Sequence, residues 1–183
     1  MRGASHLCLG RYLIDHYMAD VPVLYTKAFL LGCIEPDRNP ATYLKGSIAH
    51  QCLRGHNYLN ARRFMRRVSQ RLEQKSTLNL WDYYTLGKLI HYTTDAFTFA
   101  HNDTFTTNLG DHCQYEVALQ NHFLEYMKQD PQVNINYAWS IMEGISRYHR
   151  EYEKQPPMNI HVDTKFALTA CCCVLAVLFL KPI

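Results

Sequence analysis

The sequence predicts an all-α fold: one domain over residues 1–183, built from about six main helices. Three observations predict it. Apolar residues recur at three- and four-residue spacing along most of the chain, no convincing run of alternating apolar and polar residues occurs, and clusters of Pro, Asn and Asp break the periodic segments. A length of 183 residues suits one domain with a sizeable core. A hydrophobic share of 48% against 19% charged residues excludes a disordered chain.

The elements follow in order. Leu9, Leu13 and Tyr17 mark a first helix. Ala61, Phe64, Met65, Val68 and Leu72 form the apolar stripe of a second. Trp81, Tyr84, Leu86, Leu89 and Ile90 begin a long third. Val117, Leu124 and Met127 mark a fourth, and Tyr137, Ile141, Ile145 and Tyr148 a fifth. The apolar run Phe166 to Leu180 is the sixth. It falls short of the ~20 residues that a full membrane span needs, and reads as a core helix before it reads as a membrane-dipping or tail-anchor segment. Glu35 to Pro40, Asn102 to Asp111 and Gln155-Pro156-Pro157 read as loops.

Charge and thiols narrow the function classes. A net charge of +3 by itself implies neither a nucleic-acid nor a membrane partner. Arg62, Arg63, Arg66, Arg67, Arg71 and Lys75 lie opposite the stripe of the second helix. They read first as a solvated face, and second as a surface for anionic lipid or nucleic acid. Seven cysteines, an odd number with no Cys-x-x-Cys, argue against a disulfide framework. Reduced thiols and the lack of a signal-peptide pattern point to a cytoplasmic protein, with membrane association left open. Cys171, Cys172 and Cys173 would leave a helix in three directions, so they read as small buried apolar residues.

The chemistry lies in histidines and carboxylates at ligand spacing. His91 and Asp95 are four residues apart and project from one helix face, where two side chains can grip one metal. Asp95 has two oxygens and could bridge two ions. The competing reading is an ordinary ion pair on a helix surface. His101 would drift about 80° from that face on a continuous helix, so a helix end before it is needed to turn it inward. His112 and Glu116 repeat the four-residue clamp. Imidazole with carboxylate is a normal ligand set for zinc. His122 and Glu125 mimic the spacing, but His16, His122, His149 and His161 read as ordinary core or surface histidines.

These residues resemble a known family. Ala28 to Asp37 is similar to the "FLLG…PD" segment of the zinc-dependent phospholipase C family. Gly87, His91, Asp95 and His101 resemble its Gly-His-Asp-His helix, Ser5-His6-Leu7 its early Thr-His segment, and His56 in Gly55-His56-Asn57-Tyr58 the histidine after the PD segment. His50 also follows that segment, but its surroundings match less well. The similarity runs from about residue 5 to 127. It implies an all-helical domain of the phospholipase C and zinc nuclease type, with two or three zinc ions in a cleft. Carried over, Asp37, His56, His91 and Asp95 hold the first zinc, and His101, His112 and Glu116 the second. His6, an Asp95 oxygen and the N-terminus hold the third. Asp37 is also the implied general base.

The implied function is hydrolysis of a phosphodiester, foremost phospholipase C-like release of a phospholipid headgroup. Two alternatives remain: a single-strand nuclease on the same fold, and a zinc-stabilised binding protein without turnover. The expected partners are a phospholipid or other phosphodiester substrate, with membrane-surface contact and nucleic acid as the second choice; no protein partner is inferred.

Overall fold

The computed structural model describes residues 1–39, 58–102 and 109–180, without the side chains of residues 109, 110 and 112. Its described residues form seven helices and no strand. They are α1 (Gly3–Tyr17), α2 (Val23–Arg38), α3 (Tyr58–Glu73), α4 (Leu80–Ala96), α5 (Leu109–Met127), α6 (Ile141–Tyr152) and α7 (Ile160–Phe179), with a short 3-10 turn at Phe99–His101. The all-α expectation holds. The count differs by one, and the difference is α2.

Two features hide α2 in the sequence. It has Gly32 and Pro36 inside it, both poor helix formers. Its exposed side chains include the apolar Val23, Leu24 and Leu31, so no clean stripe stands out. Glu35 to Arg38, expected as loop, is its last turn. Pro36 is tolerated there because only one helical hydrogen bond is lost, close to the end. Asn39 closes that end. Its backbone N–H donates to the Glu35 carbonyl at 3.0 Å and its side-chain amide to Glu35 Oε1 at 2.7 Å.

α2 lies directly on α4. A Cβ built on Gly32 would sit 2.0 Å from the Tyr84 carbonyl oxygen, and one on Gly87 would sit 2.1 Å from that of Phe29. Only glycine permits two backbones to approach so closely. Gly87 is therefore a packing glycine, and it sets the distance between the two helices that carry Asp37 and His91.

α4 begins with a reciprocal cap. The Asn79 side chain accepts from the Asp82 backbone N–H at 3.0 Å, and Asp82 Oδ2 accepts from the Asn79 N–H at 3.0 Å. Arg71 in the last turn of α3 and Lys75 just past its end lean on the same carboxylate, at 3.6 Å and 2.6 Å. The helix ends before Lys75, expected on its basic face; Lys75 and Arg71 are tied to Asp82, whereas Arg62, Arg63, Arg66 and Arg67 are exposed.

One core cluster draws residues from all seven helices, among them Leu13, Phe29, Met65, Leu89, Phe123, Ile145 and Leu168. The expected stripe of α5 is shifted. Leu119, Phe123 and Met127 are buried, but Val117 is exposed and Leu124 only half-buried. Trp81 and Tyr137 are likewise exposed rather than core.

α7 is long and apolar enough to cross a membrane by length and composition. Here it is packed by α1, α4, α5 and α6. Surrounded in this way, it buries Cys171, Cys172 and Cys173 although they point three ways. Burial pushes the Cys172 thiol up to about 12 and that of Cys173 to about 11.

Candidate metal centre

The site is built where the C-terminal half of α4 meets the ends of α1 and α2. His91 and Asp95 are both fully buried, which removes the reading as a surface ion pair. Their four-residue spacing sets His91 Nε2 3.2 Å from Asp95 Oδ2. The close approach of α2 puts the Cys33 carbonyl 2.9 Å from His91 Nδ1 and Asp37 Oδ1 3.6 Å from His91 Nε2. A carbonyl only accepts, so Nδ1 carries the proton. In the neutral ring the lone pair is then on Nε2, on the side of the carboxylates.

The second oxygen of Asp95 faces the other way. Oδ1 accepts from the α-ammonium of Met1 at 2.7 Å and lies 3.4 Å from His6 Nε2. His6 stacks on His91 with ring centroids 4.0 Å apart. The Met1 ammonium is also 3.2 Å from Glu116 Oε1, which in turn lies 3.8 Å from His101 Nε2. Asp37, His91, Asp95, His6, Glu116 and His101 therefore form one continuous file of ligand-type side chains, with Asp95 at its middle.

His101 reaches this file because α4 stops at Ala96 and the chain re-coils in the 3-10 turn. Thr98 orients it. The Thr98 hydroxyl donates to the Asp95 carbonyl at 2.9 Å, so its oxygen accepts from His101 Nδ1 at 2.7 Å. Nε2 is left to face Glu116. Sequence reasoning missed Thr98 and the Cys33 carbonyl. A threonine three residues before a ligand-type histidine is a weak signal for the first; the backbone carbonyl gives no signal at all.

Two expected ligands lie outside the described part of the site. His56, with its competitor His50, lies outside the described residues. His112 stands on α5 four residues before Glu116, and its side chain lies outside the described ones. The remaining histidines stay away from the file. His16 bonds the Tyr12 carbonyl at 2.9 Å, and His122 and His161 face each other with ring centroids 4.2 Å apart. His149 stacks on Tyr58. Glu125 pairs with Lys128 rather than His122.

The electrostatics are those of crowded ligand groups. Burial opposes charge on Asp95, but the Met1 ammonium and the imidazoles of His101, His91 and His6 hold it well below the usual carboxylate range. Burial also opposes charge on His91, yet Asp95 and Asp37 outweigh it and raise its pKa. Burial and the neighbouring His91 lower that of His6. The Met1 ammonium, opposed by burial but drawn by Asp95 and Glu116, is raised to about 10.

These residues fit zinc. Ligand atoms of His6, His91 and Asp95 lie within 4.8 Å of one another, all three buried. His6 turns its Nε2 to this cluster, 3.4 Å from Asp95 Oδ1 and 3.1 Å from the Met1 carbonyl. Imidazole nitrogens with carboxylate oxygens are the borderline-to-hard donors that zinc takes.

Comparison with known proteins agrees. The family model described as zinc dependent phospholipase C matches residues 5–159, most of the chain and every ligand-type residue named above. No curated protein and no solved structure matches. With the match spanning well over half of its length, the chain belongs to the zinc-dependent phospholipase C family.

Proposed function

We propose that this chain hydrolyses a phospholipid at the phosphodiester on the glycerol side, releasing a phosphorylated headgroup and diacylglycerol. The observation that carries the reading is Asp95. It is fully buried and aims one oxygen at His91 and the other at His6, the arrangement of a carboxylate shared between two cations. Asp37, His91 and Asp95 would hold one zinc, joined by His56. Glu116 and His101 would hold a second, joined by His112. His6, Asp95 and the α-amine of Met1 would hold a third.

When bound, zinc supplies a Lewis acid for the phosphoryl oxygens and lowers the pKa of water to about 7. The protein supplies orientation and a base. The Cys33 carbonyl and Thr98 fix the tautomers of His91 and His101. Asp37 is only half-buried and stands at the end of the file. It is placed to orient an attacking water and take its proton. A cavity of about 650 Å³ opens beside the turn that carries His101, walled by Tyr58, Phe99, Asn102, Arg62 and Arg150. Its aromatic and cationic walls suit a lipid phosphate and its headgroup.

The exposed Arg62, Arg63, Arg66 and Arg67 favour a second reading, a nuclease on single-stranded nucleic acid. Elemental mass spectrometry on protein purified without added metal should find two or three zinc ions per chain. Parallel assays with short-chain phosphatidylcholine and single-stranded DNA then separate the two activities. Cleavage of the DNA alone replaces the lipase reading. Full zinc with neither substrate cut leaves a zinc-stabilised binding protein.

A further inference from the structure

Asp163 stands near the start of α7, beyond the stretch that the family model matches. It is buried, with 1% of its surface exposed. Its carboxylate gathers three donors from three different elements. Oδ2 accepts from the Phe99 backbone N–H at 2.8 Å and the Tyr115 hydroxyl at 2.7 Å; Oδ1 accepts from the Tyr152 hydroxyl at 2.7 Å.

The positions of these donors matter. Phe99 opens the 3-10 turn that ends at His101. Tyr115 precedes Glu116 on α5, and its ring packs edge-on against Phe99 with centroids 5.8 Å apart. One oxygen of Asp163 thus ties the turn that carries His101 to the helix that carries Glu116. The two side chains that face each other at 3.8 Å share a single anchor behind them. Partners that hydrogen-bond a metal ligand and fix its orientation commonly change metal affinity about 10–100-fold when removed, and an anchor that fixes the spacing of two ligand-bearing elements acts on the same geometry.

We infer that Asp163 is a positioning residue for the zinc held by His101 and Glu116. It sets the separation of the two ligand-bearing elements without touching the ion. This rests on the proposed assignment of His101 and Glu116 as ligands.

The test is zinc titration of the metal-free full chain against a competing chelator, with Asp163→Asn as the main variant. Asparagine keeps the shape and can still bond all three partners, its amide turned to the Tyr152 hydroxyl, but it loses the negative charge that strengthens those bonds. The expected result is one zinc bound about 10–100-fold more weakly, with the ion at His91 and Asp95 unchanged. Tyr152→Phe removes the donor that comes from α6, a helix without an assigned ligand, while keeping the ring on Phe97, and should lower Tm with both zinc affinities kept. In a His101→Ala background, Asp163→Asn should change zinc affinity no further, whereas a general structural role would weaken the remaining ion as well. Unchanged zinc affinity in Asp163→Asn, or equal weakening of every ion, overturns the inference while the ligand assignment stands. A His101→Ala variant with the same zinc content and affinity as wild type overturns the assignment and the inference together.

Discussion

Helix α4 buries a carboxylate at each end, and the two ends do different work. Asp82, at the N-terminal end, is met by the chain's own cations, Lys75 at 2.6 Å and Arg71 at 3.6 Å, and by the backbone N–H of Asn79. Asp95, at the other end, faces the Met1 ammonium at 2.7 Å and imidazoles, and Asp37 and Glu116 lie close by. Burial alone does not separate the two, since both have at most 1% of their surface exposed. The partners separate them. Asp82 is compensated by donors that cannot bind a metal. Asp95 is met by an α-ammonium and by imidazoles, groups that can each give up a proton and offer a lone pair to a metal cation in its place.

The largest effect should come from breaking the Asp95 end. Asp95→Ala should lose at least one zinc per chain by elemental analysis. If zinc contributes about 4 kcal/mol to the transition state, hydrolysis should fall about 10³-fold. A variant with full zinc content would refute the shared-carboxylate reading. Next is Gly87→Ala, where the added Cβ meets backbone at 2.1 Å. Overpacking of this kind costs about 3 kcal/mol, read as a shifted urea midpoint. Because the helix separation also sets the His91 contact with Cys33, zinc affinity should fall too.

Asp82→Asn should cost less, about 1 kcal/mol from the weakened cap, and leave the zinc content intact. Loss of zinc in this variant would erase the contrast between the two ends. The smallest effect is one of pH. Burial opposes charge on Asp82, but Lys75, the Asn79 backbone and Arg71 hold it below the ordinary value of 3.8. The unfolded chain therefore takes up the proton first. The stabilisation is fully present above about pH 3.8 and is lost as pH falls through the lower folded value. The difference in urea midpoint between wild type and Asp82→Asn should stay level from pH 7 to pH 5 and shrink below about 3.8.

The two ends were also unequally legible in the sequence. The His91 and Asp95 clamp follows from helix periodicity alone, because residues four apart must share a face. The inward turn of His101 required a helix end, and the chain supplies one at Ala96. The file that joins Asp37, His6 and Glu116 to these residues is long-range, and only the family resemblance pointed to it. α2 escaped because Gly32 and Pro36 read locally as breakers, while tertiary contact with α4 overrides that preference. Asp163 had no local signal either, since its donors lie 64, 48 and 11 residues away.

Four buried thiols are kept away from the file of ligands. Cys33 supplies its carbonyl to His91, while its sulfur is packed away with a pKa raised well above the ordinary thiol value. Cys171, Cys172 and Cys173 are equally withdrawn. Thiophilic ions such as cadmium or copper(I) seek thiolate. The four thiols packed in the core do not offer it to the file of ligands, whose described side chains present nitrogen and oxygen.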